Sequence, residues 1–284
     1  MLNLIRISFI LMFILILCSK NIFAGDIHNA AKGGLLHRLQ ALILNDSSLI
    51  NERDDNGNTP LHLAVRYDQT EIVSQLLSYF DIDVNAVNNN GETPFFVSAR
   101  YAGLLSFSLL KEKNPDPFII PENKQTLLHA SAMSINKESS QVLAKILETF
   151  PDIKINQTDS WHMPPLHLAA KTGNVKSLEI LIKHGSDITL RDGLGRTALH
   201  WAAEIGNLEV SKVLIKNNVP INVKCINSGT ALHLASIANR INIIKLLKDS
   251  GADLTIKDSK SKTALRYALE FNHKEIIQIL IEQN

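Results

Sequence analysis

A ten-residue phrase that returns at a fixed interval constrains this chain more than any other feature. It reads Pro165-Leu166-His167-Leu168-Ala169-Ala170-Lys171-Thr172-Gly173-Asn174, and 33 residues later Ala198-Leu199-His200-Trp201-Ala202-Ala203-Glu204-Ile205-Gly206-Asn207. Further steps of 33 bring Ala231-Leu232-His233-Leu234-Ala235-Ser236 and Ala264-Leu265-Arg266-Tyr267-Ala268-Leu269. Upstream stand Thr59-Pro60-Leu61-His62-Leu63-Ala64, Thr93-Pro94-Phe95-Phe96-Val97-Ser98 and Thr126-Leu127-Leu128-His129-Ala130-Ser131. A period of this length makes each copy one supersecondary unit that buries its apolar face only against its neighbours. Small residues such as Ala169-Ala170 and Ala202-Ala203 let first helices approach closely, and Leu166, Leu199, Leu232 and Leu265 fill the seam. Within a copy, Asn56-Gly57 makes a turn, Thr59 caps a helix, and Pro60 takes the first helical position, where a missing N–H costs nothing.

With Thr-Pro-Leu-His at its head and a period near 33, the phrase resembles the ankyrin repeat, and the likeness covers nearly everything after the first two dozen residues. It implies an all-α solenoid of stacked helix-turn-helix units joined by short β-turn or hairpin connections. Residues 25–53 read as a truncated amino-terminal cap, with Asp26 placed to cap its first helix. Seven repeats follow, over about 54–87, 88–120, 121–158, 159–191, 192–224, 225–257 and 258–284. The second ends in a loop around Pro115, Pro117 and Pro121. The third lacks the proline and the turn glycine, and its interval to the next, His129 to His167, is 38. A longer inter-helix loop over 133–137 makes it a candidate hinge or contact loop. In the last four, Asp159, Asp192 and Asp258 open three copies and Cys225 the other. Gly185 and Gly251 are placed to close second helices in the left-handed conformation. Lys274, Gln278 and Glu282 give the last helix a polar outer side.

Residues 1–24 differ. Arg6 precedes an apolar run over 7–17, and Ile22-Phe23-Ala24-Gly25 offers a small residue at a cut. That pattern predicts a secretory signal peptide cleaved after Ala24. The run is shorter than the ~20 residues that span a bilayer, so a membrane-tethered scaffold with an uncleaved leader is the alternative reading. Charge is balanced, 29 Lys+Arg against 28 Asp+Glu, which gives no basic surplus for nucleic acid. With Cys18 in the leader, Cys225 has no partner for a disulfide. Ankyrin arrays usually work inside cells. An exported one therefore implies a bacterial protein that is periplasmic or secreted.

His62, His129, His167, His200 and His233 occupy equivalent places one repeat apart. Helices pack about 8–10 Å apart, whereas ligands of one zinc each lie ~2 Å from it, so no single metal bridges this ladder. In the family this imidazole joins turn to helix. No Gly-x-Ser-x-Gly elbow, His-Glu-x-x-His pair or phosphate loop occurs, which argues against an enzyme and leaves an unrecognised hydrolase as a minor alternative. No cofactor is expected. The resemblance implies that turn tips and the exposed side of first helices form a concave face for another protein, met by a monomer. That face carries Arg66, Tyr67, Arg100, Tyr101, Trp161, Leu194, Arg196, Glu204, Ile226, Lys260 and Phe271, among them the Trp, Tyr and Arg types favoured at interface hot spots.

Overall fold

The structure, a computed structural model, describes residues 26–101, 103–134 and 136–282. The expected signal peptide lies outside the described residues. The chain divides into two compact units, one ending at Glu122 and the other starting at Asn123, so the boundary falls at the head of the irregular third copy.

The first unit opens with a helix over residues 26–33 (α1), followed by α2 (Leu36–Asn45) and a 3-10 turn, Ser47–Asn51. Two helix pairs complete it: α3 (Pro60–Arg66) with α4 (Thr70–Leu77), and α5 (Pro94–Tyr101) with α6 (Leu104–Lys111). Asp26 lies within the α1 helical segment, and its carboxylate takes the Arg38 guanidinium at 2.8 Å. The loop around Pro115, Pro117 and Pro121 contains no helix, as the prolines require.

The second unit holds five pairs. They are α7 (Leu127–Met133) with α8 (Ser139–Thr149), α9 (Pro165–Thr172) with α10 (Val175–Lys183), α11 (Ala198–Ile205) with α12 (Leu208–Lys216), α13 (Ala231–Ile237) with α14 (Ile241–Asp249), and α15 (Ala264–Glu270) with α16 (Lys274–Ile281). First helices pack on first helices and second on second, which is the all-α solenoid the period implied. Between α7 and α8 the connection runs over 134–138, whereas Gly173 and Asn174 alone join α9 to α10. Met133 itself is helical.

The alanines of the phrase sit at the closest approach. Ala169, Ala170, Ala202 and Ala203 are fully buried, beside Leu166, Leu199 and Leu232. Leu265 is only half-buried, because no described helix pair follows its own. Lys274, Gln278 and Glu282 are exposed, as the polar side of α16 predicted. Gly185 and Gly251 adopt φ of 89° and 87° just past α10 and α14.

The connections between pairs are tight turns, and no strand occurs among the described residues. Outside the third copy each turn is closed by one backbone bond pair, as in Asp192 N–H to Arg196 O at 2.9 Å and Gly195 N–H to Asp192 O at 2.9 Å. The opening carboxylate holds the turn: Asp192 Oδ1 accepts from Leu194 N at 2.8 Å and Arg196 N at 2.9 Å. Asp54, Asp159 and Asp258 repeat this pair of bonds. Where glycine is absent the chain still enters the left-handed region, at Lys124, His162, Ser228 and Ser261. The third copy keeps the left-handed residue, at Lys124, but not the bond pair, because Pro121 has no N–H to donate.

Candidate functional site

Five histidines of the phrase are structural, and their geometry explains why. The Nε2 of His62 bonds the Glu92 carbonyl of the next repeat at 2.9 Å. A carbonyl only accepts, so Nε2 carries the proton and Nδ1 is left to accept, which it does from Thr59 N at 3.1 Å. His129 reaches Met163 O at 3.0 Å, His167 reaches Arg196 O at 2.9 Å and His233 reaches Lys262 O at 3.1 Å. Thr126, Thr197 and Thr230 serve His129, His200 and His233 as Thr59 serves His62. In the fourth copy Pro164 replaces the threonine and has neither N–H nor hydroxyl. His167 Nδ1 is consequently buried with no partner. Burial lowers the pKa of all five, of His62 and His200 to about 4. These are neutral rivets: His62, His129 and His233 have both ring nitrogens engaged, whereas His167 Nδ1 and His200 Nε2 are buried without a partner. Among the described residues no group of three or more His, Cys, Asp or Glu could hold a metal.

The residues the repeat does not need gather on the turn tips and the exposed ends of first helices. In the second unit Trp161 (60% exposed), Leu194 (52%) and Ile226 (67%) stand on consecutive tips. The tips are joined edge to edge: Gly193 N–H donates to Trp161 O and Ile226 N–H to Leu194 O, each at 3.0 Å. The three apolar side chains therefore form one row. Leu194 and Ile226 continue into a groove of about 340 Å³ lined also by Ile237, Tyr267 and Cys225. Lys260 ends the row as an exposed cation, and Phe271 (53% exposed) stacks on Tyr267 with ring centroids 6.4 Å apart.

Arg196 and Glu204 are engaged with each other at 2.7 Å, which leaves less of either for a partner. Arg196 also covers the Trp201 ring at 4.9 Å, with Lys171 on it at 4.5 Å. Trp201 escaped the sequence reading although a signal existed. Its position after the histidine holds leucine in Leu63, Leu168 and Leu234, so an indole there is out of pattern. It donates Nε1–H to Asp192 Oδ2 at 2.9 Å, and Tyr267 at the same place donates to Asp258 Oδ2 at 2.5 Å. Ile205 and Ile237, both exposed, extend the apolar surface and were also missed.

In the first unit the candidates form a ladder. Lys32 lies over the Tyr67 ring at 4.9 Å, and Arg66 and Arg100 lie over the Tyr101 ring at 4.7 and 5.3 Å. Arg100 is paired with Glu92 at 3.3 Å, whereas neither Lys32 nor Arg66 meets a carboxylate among the described residues.

Stacked helix pairs, turns locked by aspartate, and histidine rivets define a repeat protein of the ankyrin class. The sequence matches the family described as ankyrin repeats (3 copies) over residues 27–117, 101–192, 190–258 and 218–284, and the chain belongs to that family. It is 31% identical over 164 residues to human transient receptor potential cation channel subfamily A member 1, covering 57% of this chain and 14% of the channel subunit. It is 29% identical over 177 residues to the probable 26S proteasome regulatory subunit p28 of Saccharomyces cerevisiae, covering 60% and 75%. Mouse inversin is 28% identical over 181 residues, covering 64% and 17%. The matched stretch is thus a small part of the channel subunit and of inversin.

Proposed function

We propose that the chain binds another protein non-covalently through the face made by its turn tips and the exposed ends of its first helices. Ankyrin repeats generally mediate protein–protein interaction. The observation that carries the reading to this face is the row of Trp161, Leu194 and Ile226, large apolar groups that no packing requirement of the repeat places in water. Indole and phenol rings combine large buried area with a polar tip, the property that concentrates binding energy. The test is affinity capture with the full chain beside a Trp161→Ala/Tyr101→Ala variant. A partner lost in the variant supports the reading, and capture unchanged by it moves recognition to another surface.

We further propose export. The Arg6 and 7–17 pattern supports a cleaved leader, and a bacterial periplasmic or secreted protein follows from it. Intact mass of the mature protein tests this: retention of residues 1–24 overturns cleavage. Among the described residues no helix is long and apolar enough to cross a membrane.

A further inference from the structure

The last exposed position of each first helix, four residues after the histidine place, forms a column running from repeat to repeat. In the first unit it reads Lys32, Arg66, Arg100, all basic, and the next position adds Tyr67 and Tyr101. In the second unit the same column reads Met133, Lys171, Glu204, Ile237, Glu270, which carries no run of one sign. The cation of a repeat is neutralised only where the turn supplies a counter-charge, eight residues earlier. Glu92 does this for Arg100. Asn58 stands in that place for Arg66, so Arg66 faces only the Tyr101 ring, as Lys32 faces Tyr67. Both line a groove of about 890 Å³ together with the cation Arg53, the carboxylates Glu52 and Asp55, and the amides Asn89 and Asn90. The other nearby aspartate, Asp54, is engaged with turn amides.

Resting on the binding reading above, we propose that this column is a docking track for an extended acidic peptide segment with a carboxylate at every third residue. Neighbouring first helices are about 8–10 Å apart, and a peptide in the polyproline II conformation, with three residues per turn and about 3.1 Å rise each, brings every third side chain back to the same face about 9 Å on, so that it meets the next cation. The aromatic rings between the cations hold them in place and cover the peptide backbone from water. Arg100, already tied to Glu92, is the weakest rung, and Lys32 and Arg66 dominate.

The test is fluorescence anisotropy with the full chain and a labelled, otherwise glycine-serine peptide carrying glutamate at every third position. Binding that weakens as salt rises is expected, and about two- to thirty-fold loss in a Lys32→Gln/Arg66→Gln variant, the range for two exposed ion pairs. Lys171→Gln, in the other unit, leaves binding unchanged. Equal binding of a peptide with serine for glutamate overturns the proposal, as does equal loss with Lys171→Gln, which marks unspecific attraction. Absence of peptide binding also overturns it. In that case, loss of a captured partner on Trp161→Ala alone still sustains the broader reading, whereas capture indifferent to every tip and column substitution removes both.

Discussion

Arg196 and Glu204 tie the end of a turn to the end of the first helix it launches, their charged atoms 2.7 Å apart across eight residues of sequence. The same strut joins Lys262 to Glu270 at 2.6 Å, and Glu92 to Arg100 with the charges exchanged. The geometry is therefore indifferent to polarity.

Both partners of the Arg196–Glu204 strut keep contact with water, so its worth is that of a surface pair. A double-mutant cycle with Arg196→Ala and Glu204→Ala, followed by urea unfolding, is expected to give a coupling of about 0.2–1 kcal/mol. A coupling of several kcal/mol would mean that the strut is shielded from solvent.

Acid stability follows from the rivets. Burial holds His62 and His200 neutral, with pKa lowered from 6.5 to about 4, so below 6.5 the unfolded chain binds protons that the folded one refuses. Their contribution is fully present above pH 6.5 and disappears as pH falls towards 4. Each histidine accounts for roughly 3 kcal/mol across that window. Urea midpoints recorded between pH 7 and pH 4 are expected to drop steeply. A flat profile would place these imidazoles in solvent.

Pro164→Thr is expected to stabilise the fourth copy by about 1 kcal/mol, by giving His167 Nδ1 the amide and hydroxyl partners its counterparts have. A calorimetric scan that shows no gain would mean that the nitrogen is already satisfied.

Gly57→Ala is expected to cost more than the ~1–2 kcal/mol of a left-handed L-residue. Gly57 has φ of 74°, and an added Cβ would lie 2.8 Å from the Asn89 backbone nitrogen. Ser228→Gly, the reverse change at an equivalent place with φ of 56°, is expected to stabilise. Opposite shifts in thermal midpoint check both.

Much of the fold was legible because each step of the phrase carries a local cause: a threonine to cap, a histidine to rivet, alanines to let helices approach. The third copy also announced its longer connection over 134–138 through a spacing of 38 in place of 33. What stayed hidden depends on groups far from one another in periodicity. An eight-residue separation that crosses a turn fits neither helical nor strand spacing, so Arg196 and Glu204 looked like two independent surface residues. The left-handed Lys124 was equally opaque, since its turn is imposed by the bonds around it. At the candidate face the exposed Trp161, Leu194 and Ile226 were evident from their departure from the phrase, but the ring of Trp201 beneath its two cations was not.

The carbonyl that receives His62, His129, His167 or His233 belongs to the copy that follows, and the tips likewise bond to the adjacent tip. Donor and acceptor sit at the same two places in most copies, so a duplicated or deleted unit presents matching ends to whatever flanks it. Unequal exchange within the gene can therefore lengthen or shorten this array in whole units of about 33 residues without redesigning a junction.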